Sequence, residues 1–216
     1  MLLLALDAST PATTVALVED GVVCGEQTHV DARRHAEVLA SSVAEVLREA
    51  DKTLSDVHAV AVGVGPGAFT GLRVGIASAQ AIGDARGIPV HGVLTLDAMA
   101  YASDVDGPFA VVIDARRKEL FWASYESPMV RSSEPAAATP QAIVELVGAL
   151  PVIGAAATPY ADMFANIQQP SLPSAGALGK LAHERLLTGE LMFPPRPVYL
   201  RRPDTSPPSA PKSVLT

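Results

Sequence analysis

The segment GVGPGAFTGLRVG, residues 63–75, holds five glycines and one proline between an apolar run and a helical pattern. Loops of this kind often bind phosphate, because their backbone N–H groups can surround an anion. A Walker A loop is excluded, since no Lys-Ser or Lys-Thr pair follows the last glycine. The dinucleotide fingerprint fits loosely, but Pro66 lacks a backbone donor and Asp84 lies within the predicted helix instead of ending a second strand. The spacing therefore disfavours dinucleotide binding.

The turn after the first apolar strand is a second candidate site. Asp7, Ser9 and Thr10 could offer a carboxylate to a metal ion and hydroxyl groups to a phosphate. The alternative, which the residue types favour, is an Asx or Ser/Thr turn that closes a β-hairpin. Asp114 holds the corresponding position in a later hairpin, beside the basic residues 116–118.

The helix predicted after the glycine-rich loop carries small residues at every fourth position. Gly71, Gly75, Ala79 and Gly83 therefore share one face. Each glycine inside a helix costs about 1 kcal/mol relative to alanine, so such a face is expected where another element must approach closely. The sequence leaves open whether that neighbour belongs to the same chain or to a partner.

Residues for metal or nucleophilic catalysis are few. The five histidines form no pair at the four-residue spacing of a helical metal site, and no local signature of a Ser-His-Asp or Cys-His arrangement is present. The single cysteine, Cys24, excludes an internal disulfide and suits a reducing compartment.

The overall composition narrows the class of protein. The 216 residues carry a net charge of -7, which argues against a broad basic face for nucleic acid. The apolar N-terminal stretch has no basic flank and meets Asp7 early, and no apolar run is long enough to span a bilayer. We therefore expect a cytoplasmic protein that does not contact the membrane.

The order of predicted elements indicates a duplicated α/β fold. Three strands, a helix, and two further strand–helix pairs come first, and a strand hairpin, a helix, a strand and a closing helix follow. The stretches LALDASTPATTVALVED and AVVIDARRKELFWASYE repeat one pattern of strand, Asp, polar turn and strand. We predict the two-lobe ribonuclease-H-like fold of the actin, Hsp70 and sugar-kinase superfamily. The predicted boundaries are 1–103 for the first lobe, 104–202 for the second and 203–216 for a disordered Pro/Ser-rich tail.

Several motifs together resemble one family. LALDAST, RRHAEVL, AVGVGPGAFTGLRVG, GIPVHGV, VIDARRKELFWASY and PVYLR are similar to segments of the TsaB (YeaZ) family, over residues 2 to 201. The resemblance implies a role in forming N6-threonylcarbamoyladenosine at position 37 of tRNAs that read codons beginning with A. It also implies that ATP and a metal ion bind in the partner TsaD, and that no cofactor binds in this chain. TsaD carries a metal-ligating His-x-x-x-His pair, whereas here His35 is followed four residues later by Leu39.

The resemblance further implies how the chain meets its partners. Two helices, near residues 34–50 and 70–86, are expected to pack against TsaD, with TsaE joining the complex and tRNA reached only through it. Without TsaD the same face is expected to form a homodimer. The implied contact residues are His35, Val38, Leu39, Ser42, Val46, Phe69, Thr70, Gly71, Leu72, Gly75, Ala79 and Gly83.

Two other functions remain as alternatives. One is a stand-alone ATP-dependent phosphotransferase or ATPase that uses Asp7, Ser9 and Thr10. The other, a metallopeptidase, is disfavoured because the paired metal ligands are missing.

Overall fold

A computed structural model describes residues 1–164 and 166–201 as two mixed sheets with five α-helices and two short 3₁₀ helices, Leu54–Asp56 and Ala155–Tyr160. The predicted tail, 203–216, lies outside the described residues. The strands are β1 Leu2–Asp7, β2 Ala12–Glu19, β3 Val22–Val30, β4 Ala59–Gly63, β5 Val90–Val93, β6 Phe109–Asp114, β7 Leu120–Ser127, β8 Val130–Arg131, β9 Ala136–Ala138, β10 Val152–Ile153 and β11 Ile167–Gln168. The helices are α1 His35–Glu49, α2 Phe69–Arg86, α3 Thr95–Tyr101, α4 Pro140–Val147 and α5 Ala175–Thr188.

The first sheet has the strand order β3-β2-β1-β4-β5. The first three strands are antiparallel neighbours, and β4 and β5 extend the sheet in parallel from β1. All six residues of β1 are buried, because both faces of the sheet are covered. Leu4 and Leu6 point into one core with α1 and α2, while Leu3 and Ala5 point into the opposite core with α5.

The second sheet repeats part of this arrangement. Its order is β11-β10-β6-β7-β8, with β6 and β7 antiparallel and β10 parallel to β6, and β9 pairs with β7. The predicted hairpin of residues 109–127 is therefore confirmed. The segment TPQAIVELVGAL predicts a helix that Thr139 caps and Pro140 begins. The structure confirms this start, since Thr139 Oγ1 accepts a hydrogen bond from the backbone N–H of Ala142 and Pro140 is the first residue of α4.

Two features differ from the predicted organisation. Helix α5 follows the second sheet in sequence but packs on β1 and β2 of the first sheet. Threonine is a favoured N-cap residue, so the sequence predicts that α2 starts with Thr70 as its cap. This prediction is wrong, because α2 begins at Phe69 with Ala68 as its N-cap. A tertiary contact fixes this start, because the Ala68 N–H donates to the Ser9 carbonyl oxygen at 2.7 Å.

Among the described helices, none combines the length and the apolar character that a bilayer crossing requires.

Candidate functional site

The glycine-rich loop packs against the turn between β1 and β2. A Cβ atom at Gly63 would overlap the Asp7 carboxylate, and one at Gly67 would overlap the Ser9 backbone. One turn into α2, a Cβ atom at Gly71 would overlap the Ala8 carbonyl oxygen. The two segments singled out in the sequence therefore form one packed unit, in which glycines make room for the chain's own turn.

The carboxylate of Asp7 lies inside this unit, where it is 1% exposed. Its Oδ1 accepts hydrogen bonds from the Ser9 N–H at 2.7 Å and the Ser9 hydroxyl at 2.6 Å, and its Oδ2 accepts from the Thr95 hydroxyl at 2.6 Å. Burial raises the pKa of Asp7, and these hydrogen bonds from Ser9 and Thr95 only partly oppose it. Both oxygens are occupied, so the geometry favours the structural turn over a metal ligand.

Ser9 and Thr10 border a cavity of about 770 Å³ between the two sheets, which Asp7 does not line. The Ser9 hydroxyl nevertheless donates to Asp7, and the Thr10 hydroxyl accepts a hydrogen bond from the Ala12 N–H at 3.2 Å. The three predicted residues therefore lie close together, but the Asp7 carboxylate does not reach the cavity. Within residues 1–164 and 166–201, no three His, Cys, Asp or Glu side chains gather as metal ligands.

The small-residue face of α2 points into the protein. Gly71, Gly75, Ala79 and Gly83 are all buried, and a Cβ atom at Gly83 would overlap the Val90 side chain. The prediction that this face receives a partner helix is therefore wrong for the folded chain. The helix lies close to strands β1 and β5 of its own sheet, which is the intramolecular alternative left open by the sequence.

Most other predicted contact residues of the two helices are also internal. Leu39, Val46 and Leu72 lie in the core, and Ser42 is buried with no hydrogen-bond partner among the described residues. His35 is 5% exposed, and its Nδ1 lies 2.7 Å from the Thr13 hydroxyl oxygen. Burial lowers the pKa of His35.

Three predicted contact residues remain accessible. Phe69 and Thr70 are exposed and Val38 is half-buried. Most of the contact residues implied by the resemblance lie at the apolar spacing of the helix face that meets the sheet, so they are core positions in this fold.

The outward faces of α1 and α2 carry a second set of small residues that the sequence reasoning missed. Each helix has three exposed alanines at four-residue spacing, next to polar side chains. They are Ala36, Ala40 and Ala44 on α1 and Ala77, Ala81 and Ala85 on α2. We call these six exposed alanines on two neighbouring helices the alanine face. The sequence did contain a sign of this face, because the alanines occupy the helix positions that lie away from the buried apolar residues.

An aromatic cluster at the mouth of the cavity was also missed. The Phe69 ring stacks on the Tyr199 ring with centroids 5.5 Å apart, and the Arg73 guanidinium lies 4.1 Å from the Phe69 ring centre. Arg73 Nε also donates to the Tyr199 hydroxyl oxygen at 3.2 Å. Arg73 and Tyr199 are 126 positions apart in the sequence, so no local pattern indicated this contact.

Comparisons with known proteins agree on one family. The family model described as "TsaD: tRNA N6-adenosine threonylcarbamoyltransferase" matches residues 23–158. An uncharacterised protein of Mycobacterium tuberculosis is 44% identical over 94% of this chain and 93% of its own length. The tRNA threonylcarbamoyladenosine biosynthesis protein TsaB of Escherichia coli is 38% identical over 58% of this chain and 55% of its own length.

Solved structures extend the likeness to the whole fold. YeaZ from Pseudomonas aeruginosa superposes with a TM-score of 0.78 and 31% identity, covering 92% of this chain and 100% of that one. An activator of 2-hydroxyisocaproyl-CoA dehydratase from Clostridium difficile has a TM-score of 0.56 at 9% identity, covering 88% of this chain and 97% of that one. The second likeness shows the fold alone, and the two-sheet α/β architecture agrees with the predicted two-lobe arrangement.

Proposed function

The chain belongs to the TsaB (YeaZ) family, whose members act in tRNA threonylcarbamoyladenosine biosynthesis, and from this premise we propose that it is a non-catalytic subunit. In the proposed complex it supports TsaD, which forms N6-threonylcarbamoyladenosine at position 37 of tRNAs that read codons beginning with A. The observation that carries the proposal is the 38% identity to a relative named TsaB. The buried, fully hydrogen-bonded Asp7 carboxylate supports a subunit that leaves ATP and metal chemistry to TsaD.

We place the TsaD contact on the alanine face. Alanine side chains allow helices to approach towards the short end of the 8–10 Å range, and here they project outward on two adjacent helices. Charged residues flank the alanines on α1, where Glu45 pairs with Arg48 at 2.6 Å. A polar rim around a small-residue centre suits an interface whose two partners can also exist apart.

Substitution of Ala81 tests the position of this contact. Ala81→Arg places a long charged side chain on the alanine face without entering the core, so we expect co-elution with TsaD from size-exclusion chromatography to be lost. Ala149→Arg, at an exposed alanine of the second sheet region, is the matched control and should co-elute normally. Normal co-elution of Ala81→Arg would remove the contact from this face.

The same surface accounts for the other proposed associations. We propose that the isolated chain forms a homodimer through the alanine face, that TsaD displaces this second copy, and that TsaE and tRNA join only the assembled complex. Sedimentation velocity of the chain alone and with TsaD measures the exchange. A homodimer that persists beside bound TsaD would contradict a shared surface.

Activity of the separate chains tests the non-catalytic role. The isolated chain should show no saturable magnesium-ATP binding by calorimetry and should form no modified adenosine. Modification should appear when TsaD, TsaE and the other substrates are supplied. ATP turnover by the isolated chain that is lost in Asp7→Ala would instead support the alternative of a stand-alone ATPase.

A further inference from the structure

The exposed row of α2 that carries its alanines begins one turn earlier than the alanine face, with larger side chains. Five exposed residues follow one another at four-residue spacing and therefore share one side of the helix: Phe69, Arg73, Ala77, Ala81 and Ala85. Within residues 69–83, Arg73 is the single charged residue. A partner that packs on the α2 part of the alanine face therefore meets an aromatic ring and a cation at its end.

Neutral groups hold the Arg73 side chain in place. Its guanidinium lies 4.1 Å from the Phe69 ring centre, and its Nε donates to the Tyr199 hydroxyl oxygen at 3.2 Å. The Phe69 and Tyr199 rings stack on each other at an interplanar angle of 23°. The backbone beside Tyr199 is fixed as well, because the Val198 N–H donates to the Val64 carbonyl oxygen at 2.8 Å. The guanidinium is therefore oriented before any partner binds, which lowers the entropy cost of binding.

The positive charge of Arg73 is not neutralised by the part of the chain that the structure describes. Its one hydrogen bond there goes to a neutral hydroxyl group, and no carboxylate of those residues pairs with it. The exposed Arg48 of α1, by contrast, pairs with Glu45 at 2.6 Å. The Nη groups of an arginine form a planar fork that matches the two oxygens of a carboxylate. Arg73 thus presents a charge and a donor geometry that fit an acidic group.

We propose that Arg73, held by Phe69 and Tyr199, binds a carboxylate of TsaD at the end of the alanine face. This inference rests on the proposed function and adds the chemistry that the partner must supply. Aromatic and arginine side chains are the types that contribute most to binding at protein interfaces. An RNA phosphate fits less well, because RNA backbone contacts need several clustered cations and residues 69–83 offer one.

The affinity for TsaD at two salt concentrations tests the proposal on the full chain. Arg73→Gln removes the charge, so the Kd should rise at least about tenfold at 50 mM NaCl. The difference should narrow to about threefold at 500 mM NaCl, because salt screens charges at the edge of an interface. Lys180→Gln is the matched control, since it removes an equal charge from α5 on the opposite face of the first sheet. It should leave the Kd unchanged at both salt concentrations.

Two milder variants test the orientation of the guanidinium. Arg73→Lys keeps the charge but loses the planar fork, and Tyr199→Phe keeps the ring but loses the hydroxyl that accepts from Arg73. Each should raise the Kd about three- to fivefold at 50 mM NaCl. Urea unfolding of the same variants separates docking from folding. An affinity loss that is equal at both salt concentrations and follows a loss of stability would make Arg73 a structural residue and overturn the proposal.

The outcomes distinguish this inference from the proposed function. If the natural chain does not bind TsaD, the proposed function fails and this inference fails with it. If the natural chain and Arg73→Gln bind TsaD equally well at 50 mM NaCl, this inference alone is overturned. Normal TsaD binding by Arg73→Gln, together with weaker tRNA binding by the assembled complex, would also overturn it, in favour of an RNA phosphate.

Discussion

Asp7 shows how a single buried carboxyl group organises the turn between β1 and β2. Its two oxygens, the Ser9 hydroxyl and the Thr95 hydroxyl form a closed ring of short contacts, with the two hydroxyls 3.0 Å apart. Each hydroxyl donates to one carboxylate oxygen, so the side chain that joins Ser9 to Thr95 is held from both sides. Burial raises the pKa of Asp7, and the hydrogen bonds from Ser9 and Thr95 lower it by a smaller amount.

The raised pKa predicts how stability depends on pH. The folded state binds the Asp7 proton more tightly than the unfolded state does, so the free energy of unfolding falls as pH rises from about 4 through the folded pKa. Asp7→Asn keeps the shape and removes the titration. The stability of Asp7→Asn relative to the natural chain should therefore increase with pH across this range. Urea unfolding at pH 4, 5, 6 and 7 measures it, and a constant difference would contradict the prediction.

Helix α2 shows that glycines one turn apart can have different roles. At Gly71 a Cβ atom would overlap the Ala8 carbonyl oxygen, whereas at Gly75 the nearest atom would be the Ala8 Cβ at 3.6 Å, an ordinary contact. Gly71→Ala should therefore destabilise the chain by about 1–3 kcal/mol, because the clash exceeds the gain in helix propensity. Gly75→Ala should stabilise it by up to about 1 kcal/mol.

Thermal and urea unfolding of the two alanine variants, side by side, measure this difference. Both substitutions lie on the buried face of the same helix, so each serves as the control for the other. Equal destabilisation would mean that the whole face, and not the contact at Gly71, requires glycine. The alanine face is untouched by either change, so both variants should still bind TsaD when folded.

The helices and strands could be predicted from the sequence, but the sequence did not show which residues of each helix face solvent. Periodicity located α1 and α2 because a face that meets a sheet repeats every three or four residues. The contact residues Leu39, Val46 and Gly75, which the family resemblance implied, lie on this periodic face, and the fold buries all three. Chain-distant pairs such as Phe69 with Tyr199 leave no local signature. The Asp7 turn could be recognised, but not the orientation of its carboxylate, since that depends on Thr95 of a later helix.

Across the whole molecule, Asp97 on α3 connects the two sheets through a buried charge network. Its carboxylate accepts hydrogen bonds from Arg131 at 2.8 Å, Arg185 at 3.1 Å and the Tyr125 hydroxyl at 3.0 Å. Arg185 belongs to α5 on the first sheet, while Tyr125 and Arg131 belong to the second. Burial, followed by the nearby Asp97 charge, raises the pKa of Tyr125 well above its ordinary value, so the phenol stays a donor.

Removal of the Asp97 charge should lower the free energy of unfolding, because Asp97 connects residues of the two sheets. Asp97→Asn leaves two guanidinium groups without their shared counter-ion in a site where the Arg185 side chain is only 11% exposed, so we expect a loss of about 3–5 kcal/mol. Urea unfolding followed by the fluorescence of Trp122, the single tryptophan, measures the loss. Asp104→Asn, an exposed carboxylate, is the control and should stay within about 0.5 kcal/mol. A small effect of Asp97→Asn would mean that the apolar contacts of α3 and α5 hold the sheets together without this network.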